Sequence, residues 1–155
     1  MKDAADATAA SFVYCLRMAA APTSAGQKAL RTALQTRIFD PVYYFHGAED
    51  YLKDEMLKQL LEAAVEPATR DFNLETLRGA EITGEELGSL LGTPPMMAER
   101  RVVVVRDVGA LRKDARRALD HYLEHPASDV VLVLIATAGA KEDRALIDRV
   151  TAIEF

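Results

Sequence analysis

VYYFHGAEDYLKDEMLKQLLEAA, residues 42 to 64, decides how this chain is read. Val42 to His46 is β-branched and aromatic and runs into Gly47. Beyond it Leu52, Met56, Leu57, Leu60, Leu61 and Ala64 recur at helical spacing. Strand, glycine turn and helix form the frame on which phosphate loops are built, and the form GxxxxGK[ST] can be laid on it from Gly47. In a working loop the glycines let the backbone approach the anion, the lysine reaches the outer phosphates and the hydroxyl holds magnesium. Here Leu52 stands where the second glycine belongs, Lys53 is kept and Asp54 replaces the hydroxyl.

The departures point one way. Leu52 brings a branched side chain into the space of a phosphate, and its place in the apolar stripe turns it to the core. Asp50 is a good helix N-cap, and its carboxylate would take the first-turn amides that otherwise hold an anion. Glu49, Asp50 and Asp54 crowd the place of a polyanion, and like charges about 4 Å apart repel by roughly 4 kcal/mol. Lys53 is then read as a solvated lysine on the helix surface. A degenerate phosphate loop made of Gly47, Asp50, Leu52, Lys53 and Asp54 is the expectation. A hydrolase would place two acids after its buried strand; this chain has Arg106, Asp107 and Val108 after Val102 to Val105, so no general base is offered.

Outward from this stretch the pattern alternates. QKALRTAL, residues 27 to 34, reads as a short helix, and ATRDFNLETL, 68 to 77, as a half-buried strand. TGEELGSLL, 83 to 91, opens with Thr83 and Glu86 at capping-box spacing. RVVVVRD, 101 to 107, and DVVLVLIAT, 129 to 137, are continuous runs of the kind buried on both faces of a parallel sheet. Between them Leu111, Ala115, Ala118, Leu119 and Tyr122 line a helix; EDRALIDRV, 142 to 150, reads as a last helix and TAIEF, 151 to 155, as a closing strand. The order predicts an α/β fold, a three-layer arrangement around a parallel five-stranded sheet, with ligands expected beyond the carboxyl ends of the strands.

The 155 residues suit one domain, and 50% hydrophobic with 28% charged residues is an ordinary globular balance. A net charge of -5 argues against broad attachment to nucleic acid. The one cysteine, Cys15, has no internal partner, which fits a reducing cytoplasm. Residues 1 to 26 are read as a poorly ordered Ala-rich leader rather than a signal peptide, since Asp3, Asp6 and Arg17 spoil the pattern. No run is long enough to span a bilayer. His121 and His125 have the spacing of two metal ligands on a helix but lack a third, and read as a surface pair; His46 reads as a packed histidine. Arg100, Arg101, Arg106, Arg112, Lys113, Arg116 and Arg117 form a basic cluster whose helical members read as a solvated face.

VYYFHGAEDYLKDEMLKQLL, ATRDFNLETLRGAEIT, TPPMMAERRVVVVRDVGALRKDA and DVVLVLIA together resemble the N-terminal domain of the delta subunit of bacterial DNA polymerase III, over roughly residues 27 to 155. The resemblance implies a P-loop NTPase or AAA+-like domain with a degenerate nucleotide site, no catalysis and no cofactor. It implies a cytoplasmic clamp-loader subunit that binds and opens the sliding clamp, the beta subunit, during replication. It also implies assembly with the gamma/tau and delta-prime subunits and only indirect contact with DNA. In the family a pair of adjacent apolar side chains plugs a pocket on the clamp, and the matching positions are Met96 and Met97, where Leu and Phe are common. Read alone, a methionine pair belongs in a core. Pro94 and Pro95 stiffen the approach to it, and Arg100 and Arg101 flank it, suited to an acidic rim on the clamp. Family members continue into a helical lid and a collar, so the chain reads as a fragment lacking collar-dependent assembly. The rival readings are a divergent P-loop ATPase and an orphan Rossmann-like ligand-binding domain, which would show a wide pocket above HGAED.

Overall fold

Five strands form one parallel sheet in the order β2-β3-β4-β1-β5. The computed structural model describes residues 24 to 155. The elements are α1 (Ala25–Thr36), β1 (Val42–His46), α2 (Asp50–Ala64), a 3-10 turn (Pro67–Thr69), α3 (Arg70–Asn73) and β2 (Leu74–Arg78). They continue as α4 (Gly84–Leu91), β3 (Arg101–Arg106), a 3-10 turn (Val108–Ala110), α5 (Lys113–Tyr122), β4 (Val130–Ile135), α6 (Arg144–Ile147) and β5 (Thr151–Glu154). The leader read over residues 1 to 26 lies almost wholly outside the described residues, as does Cys15. Its last residues are helical: Ser24 caps α1 by accepting the Gln27 N–H at 3.2 Å.

Alternation along the strands divides the interior into two layers. Val42, Tyr44, Val103, Val105, Leu132 and Leu134 meet Leu87 and Leu91 of α4, Ala115 and Leu119 of α5 and Leu146 of α6. Tyr43, Phe45, Val102, Val104, Val131 and Val133 meet Leu30 of α1 and Met56, Leu57 and Leu60 of α2. β1 and β4 are buried along their whole length and β3 up to Arg106, as parallel strands covered by helices on both faces must be. The β5 edge is covered by α1, where Gly26 packs so closely that a Cβ would stand 2.0 Å from the Ala152 carbonyl oxygen. Gln27 adds a bond from Nε2 to the Glu154 carbonyl at 2.7 Å.

The capping box of α4 is formed from both sides, Thr83 Oγ1 accepting from Glu86 N and Glu86 Oε2 from Thr83 N. Three elements differ from the sequence reading, the first being the helix after β3, which starts at Lys113 and leaves Leu111 in the turn before it. Residues 68 to 73 do not extend β2: Pro67 begins a 3-10 turn and Arg70–Asn73 add one helical turn, leaving Phe72 on the surface and starting the strand at Leu74. The last helix is only Arg144–Ile147, capped by the Asp143 carboxylate on the Leu146 N–H. No helix among the described residues is long and apolar enough to cross a membrane.

Most of the basic cluster is paired. Arg116 lies between Asp120, at 3.2 Å, and Asp143, to which its guanidinium donates, tying α5 to α6. That bond holds the Asp143 carboxyl below its ordinary value; the Gly84 N–H does the same for Asp114 and the Thr83 N–H for Glu86. A carboxyl depressed in the folded state stabilises it above the unfolded pKa and loses that contribution as pH falls. Urea midpoints should therefore hold level from about pH 7 to pH 5 and fall between about pH 4 and pH 2. Asp143→Asn should lower the plateau and flatten part of the fall, which a pH series of urea titrations checks.

Candidate functional site

β1 and β4 are neighbours whose onward connections leave in opposite directions, so the crevice between their carboxyl ends is where this class of sheet binds ligands. The loop after β1 enters it on one side and Ala136 to Ala138 on the other. Gly47 holds the first loop in place at φ 105, and a Cβ there would lie 2.0 Å from the Phe155 carbonyl oxygen, so this position needs glycine.

Lys53 fills the crevice. Expected on the surface, it is 1% exposed. Its ammonium donates to the Gly47 carbonyl at 3.0 Å and the Ala136 carbonyl at 2.6 Å, and lies 2.6 Å from Asp50 Oδ1. An ammonium has three protons, and three acceptors surround this one. The cause is helical phase. Lys53 stands three and four residues before Met56 and Leu57 and seven before Leu60, on the stripe that α2 turns to the sheet. Leu52, expected in that stripe, is only partly buried.

Asp50 also differs from expectation. Glu49 occupies the N-cap position of α2 with no side-chain bond, and Asp50 is the first helical residue. Its carboxylate reaches across the crevice, accepting the Ala138 N–H at 3.1 Å while pairing with Lys53. The acidic cluster is correspondingly compensated, because Asp54 pairs with Arg106 Nη1 from the end of β3 at 2.8 Å. Asp107, at φ 55, accepts the Thr137 hydroxyl at 2.6 Å. What remains above the loop is a cleft of about 240 Å³ lined by Asp50, Lys53, Asp54, Arg78, Arg106 and Asp107 among others, smaller than the roughly 300 to 1,000 Å³ of ordinary ligand pockets. Among the described residues, this cleft is not the wide pocket required of a Rossmann-like binding domain. Larger hollows lie to either side, one of about 850 Å³ between β2 and α4 and one of about 570 Å³ lined by Tyr44, Ala136, Arg116 and Asp143 among others.

His46 is buried and stacked on Tyr44 with ring centroids 5.2 Å apart. His121 and His125 are exposed, and among the described residues no group of three or more His, Cys, Asp or Glu could hold a metal ion.

The opposite end of the sheet carries the second feature. Between α4 and β3 the chain passes Pro94 and the half-buried Pro95 to Met96 and Met97, which are 54% and 86% exposed. Their place in a core, the reading of the pair alone, is excluded. Met97 lies at φ 54. Behind the bend Asn73, fully buried, accepts the Met96 N–H at 2.7 Å and donates to the Met96 carbonyl at 2.7 Å. Arg100 stacks on Phe39, 5.0 Å from the ring centroid, and pairs with Glu99. Arg101, expected on the rim, is turned inward: it is 8% exposed and donates to the Phe72 carbonyl at 2.8 Å. It ties the start of β3 to α3, next to Asn73.

The model of the DNA polymerase III, delta subunit, family matches residues 43–152. This chain belongs to that family. The Bacillus subtilis DNA polymerase III subunit delta is 30% identical over 112 residues, which are 67% of this chain and 32% of the relative. The chain therefore spans about a third of that relative's length. Among solved structures, the Bacillus subtilis DNA clamp loader delta protein superposes with a TM-score of 0.71 at 28% identity, over 81% of this chain and 41% of that one. A Thermotoga maritima DNA polymerase III gamma subunit-related protein gives 0.64 at 18%, over 82% and 45%. A Thermotoga maritima RuvB variant gives 0.56 at 17%, over 84% and 42%. The last two establish the shared AAA+-like scaffold alone.

Within this delta-family domain the sequence reading missed Asn73 and the inward turn of Lys53. The signals were there: an asparagine in a strand-like alternation is out of place, and Lys53 is in phase with Met56, Leu57 and Leu60. Lys53→Ala leaves two inward carbonyls without their donor and should destabilise the fold by about 1 to 3 kcal/mol. Urea denaturation reads this directly, whereas a solvated lysine would change stability by about 0.5 kcal/mol or less.

Proposed function

We propose that this chain is the clamp-engaging domain of a clamp-loader delta subunit in a bacterial DNA polymerase III holoenzyme, where it binds and opens the sliding clamp without catalysing a reaction. The observation that carries the reading is Met96 and Met97, two adjacent large apolar side chains held in solvent on a stiff bend, Met97 being the most exposed large apolar residue among those described. Burying both in a partner's pocket contributes about 3 to 6 kcal/mol before ordering costs. That is enough to anchor an interface, and methionine's flexible thioether suits an adaptable contact.

Ring opening then follows from differential binding. The plug shifts the clamp toward an open form only to the extent that it fits that form better than the closed one. Arg100, partly exposed beside the bend, is the residue placed to meet an acidic rim, and such a pair would tune association more than affinity. The gamma/tau and delta-prime subunits are the expected companions, and DNA is reached through the holoenzyme. The loop after β1, with Gly47, Asp50, Leu52, Lys53 and Asp54, is a nucleotide site turned to structural use: Lys53 has its protons engaged, which counts against the ATPase reading.

The test is retention of the cognate clamp by immobilised chain, wild type against the Met96→Ala, Met97→Ala double variant. Affinity should fall by about a hundredfold or more, with the urea midpoint unchanged because both side chains are exposed. Equal retention would remove the plug.

A further inference from the structure

The two methionines lie in Thr93 to Arg100, which forms neither helix nor strand, so something other than a ladder must fix them. Pro94 and Pro95 restrict the approach but offer no N–H. Met97 then adopts φ 54, a left-handed conformation that costs a side-chain-bearing residue free energy and persists only when its surroundings impose it. The polar grip next to this bend comes from Asn73. Its Oδ1 accepts the Met96 N–H and its Nδ2 donates to the Met96 carbonyl, both at 2.7 Å, while Nδ2 also donates to the Thr69 carbonyl at 3.2 Å. One primary amide, with an acceptor and two donors, thus pairs with Met96 as a neighbouring strand's backbone would.

We infer that Asn73 is the positioning residue of the methionine bend: 0% exposed, it cannot touch a partner, and it acts by fixing the Met96 backbone so that Met97 is turned outward. This rests on the reading of Met96 and Met97 as the clamp plug. The amide is required for its hydrogen-bonding pattern as well as its size. Asn73→Asp keeps the shape and the acceptor but sets an oxygen against the Met96 and Thr69 carbonyls, and Asn73→Ala removes both arms without adding charge.

The experiment pairs clamp affinity with amide hydrogen exchange on the 155-residue chain. In the parent the Met96 amide should be protected. Asn73→Asp should lose that protection while Val102 to Val105 keep theirs, and clamp affinity should fall about tenfold. In a Met97→Ala background the same change should cost less than about twofold, since it acts through the bend. An unprotected Met96 amide in the parent, unchanged affinity in a variant whose Met96 amide has opened, or an undiminished loss in the Met97→Ala background each overturns the assignment. Should Asn73→Asp not fold, Asn73→Ala carries the same comparison and the parent exchange measurement still decides. A Met97→Ala chain that binds the clamp as the parent does would remove the plug reading, and Met96 exchange would then still tell whether Asn73 holds the bend.

Discussion

A single ammonium group joins the two halves of the switch point. Lys53 leaves α2, turns beneath it and binds the carbonyl of Gly47 after β1 and that of Ala136 after β4, with Asp50 completing the set. In a nucleotide switch the anion bridges these loops and its release lets them move. Here the bridge is covalently part of the chain and has no off-rate. A buried lysine is tolerated only when its charge is paired and its protons are placed, and this constraint accounts for the inward tilt of Asp50 and the smallness of the cleft above.

The consequence reaches the other end of the sheet. β3 has Arg106 at its carboxyl end, paired with Asp54 of α2, and Arg101 at its amino end, bonded to the Phe72 carbonyl beneath the methionine bend. Between them Val102 to Val105 are wholly buried. A strand packed on both faces does not bend locally at modest cost, so the closed site and the bend form one stiff body.

Much of the architecture was legible because β-branched runs and helical stripes report burial directly. VVVV and VVLVLI could only be central strands, and Thr83 with Glu86 announced α4. The errors came where one residue's environment outweighed the local pattern. Phe72 fits a strand alternation yet sits on a helical turn, because Pro67 and the buried Asn73 amide organise residues 67 to 73 differently. Leu52 and Lys53 were exchanged: hydrophobicity pointed to the leucine, but the face toward the sheet was set by Met56, Leu57 and Leu60, and Lys53 is in phase with them. No propensity scale places a lysine inside, and only the pairing with two carbonyls and Asp50 makes it stable there. The exposure of the methionine pair was not legible in the residues themselves, because adjacent apolar side chains look like core until their surroundings are known.

Calorimetric titration of magnesium-ATP into the 155-residue chain tests the central claim most directly. With the Lys53 protons engaged and the crevice bridged, no saturable binding heat is expected up to about a millimolar. A micromolar binding isotherm that disappears in Lys53→Ala would contradict the account, since the lysine would then be holding phosphate rather than the loops.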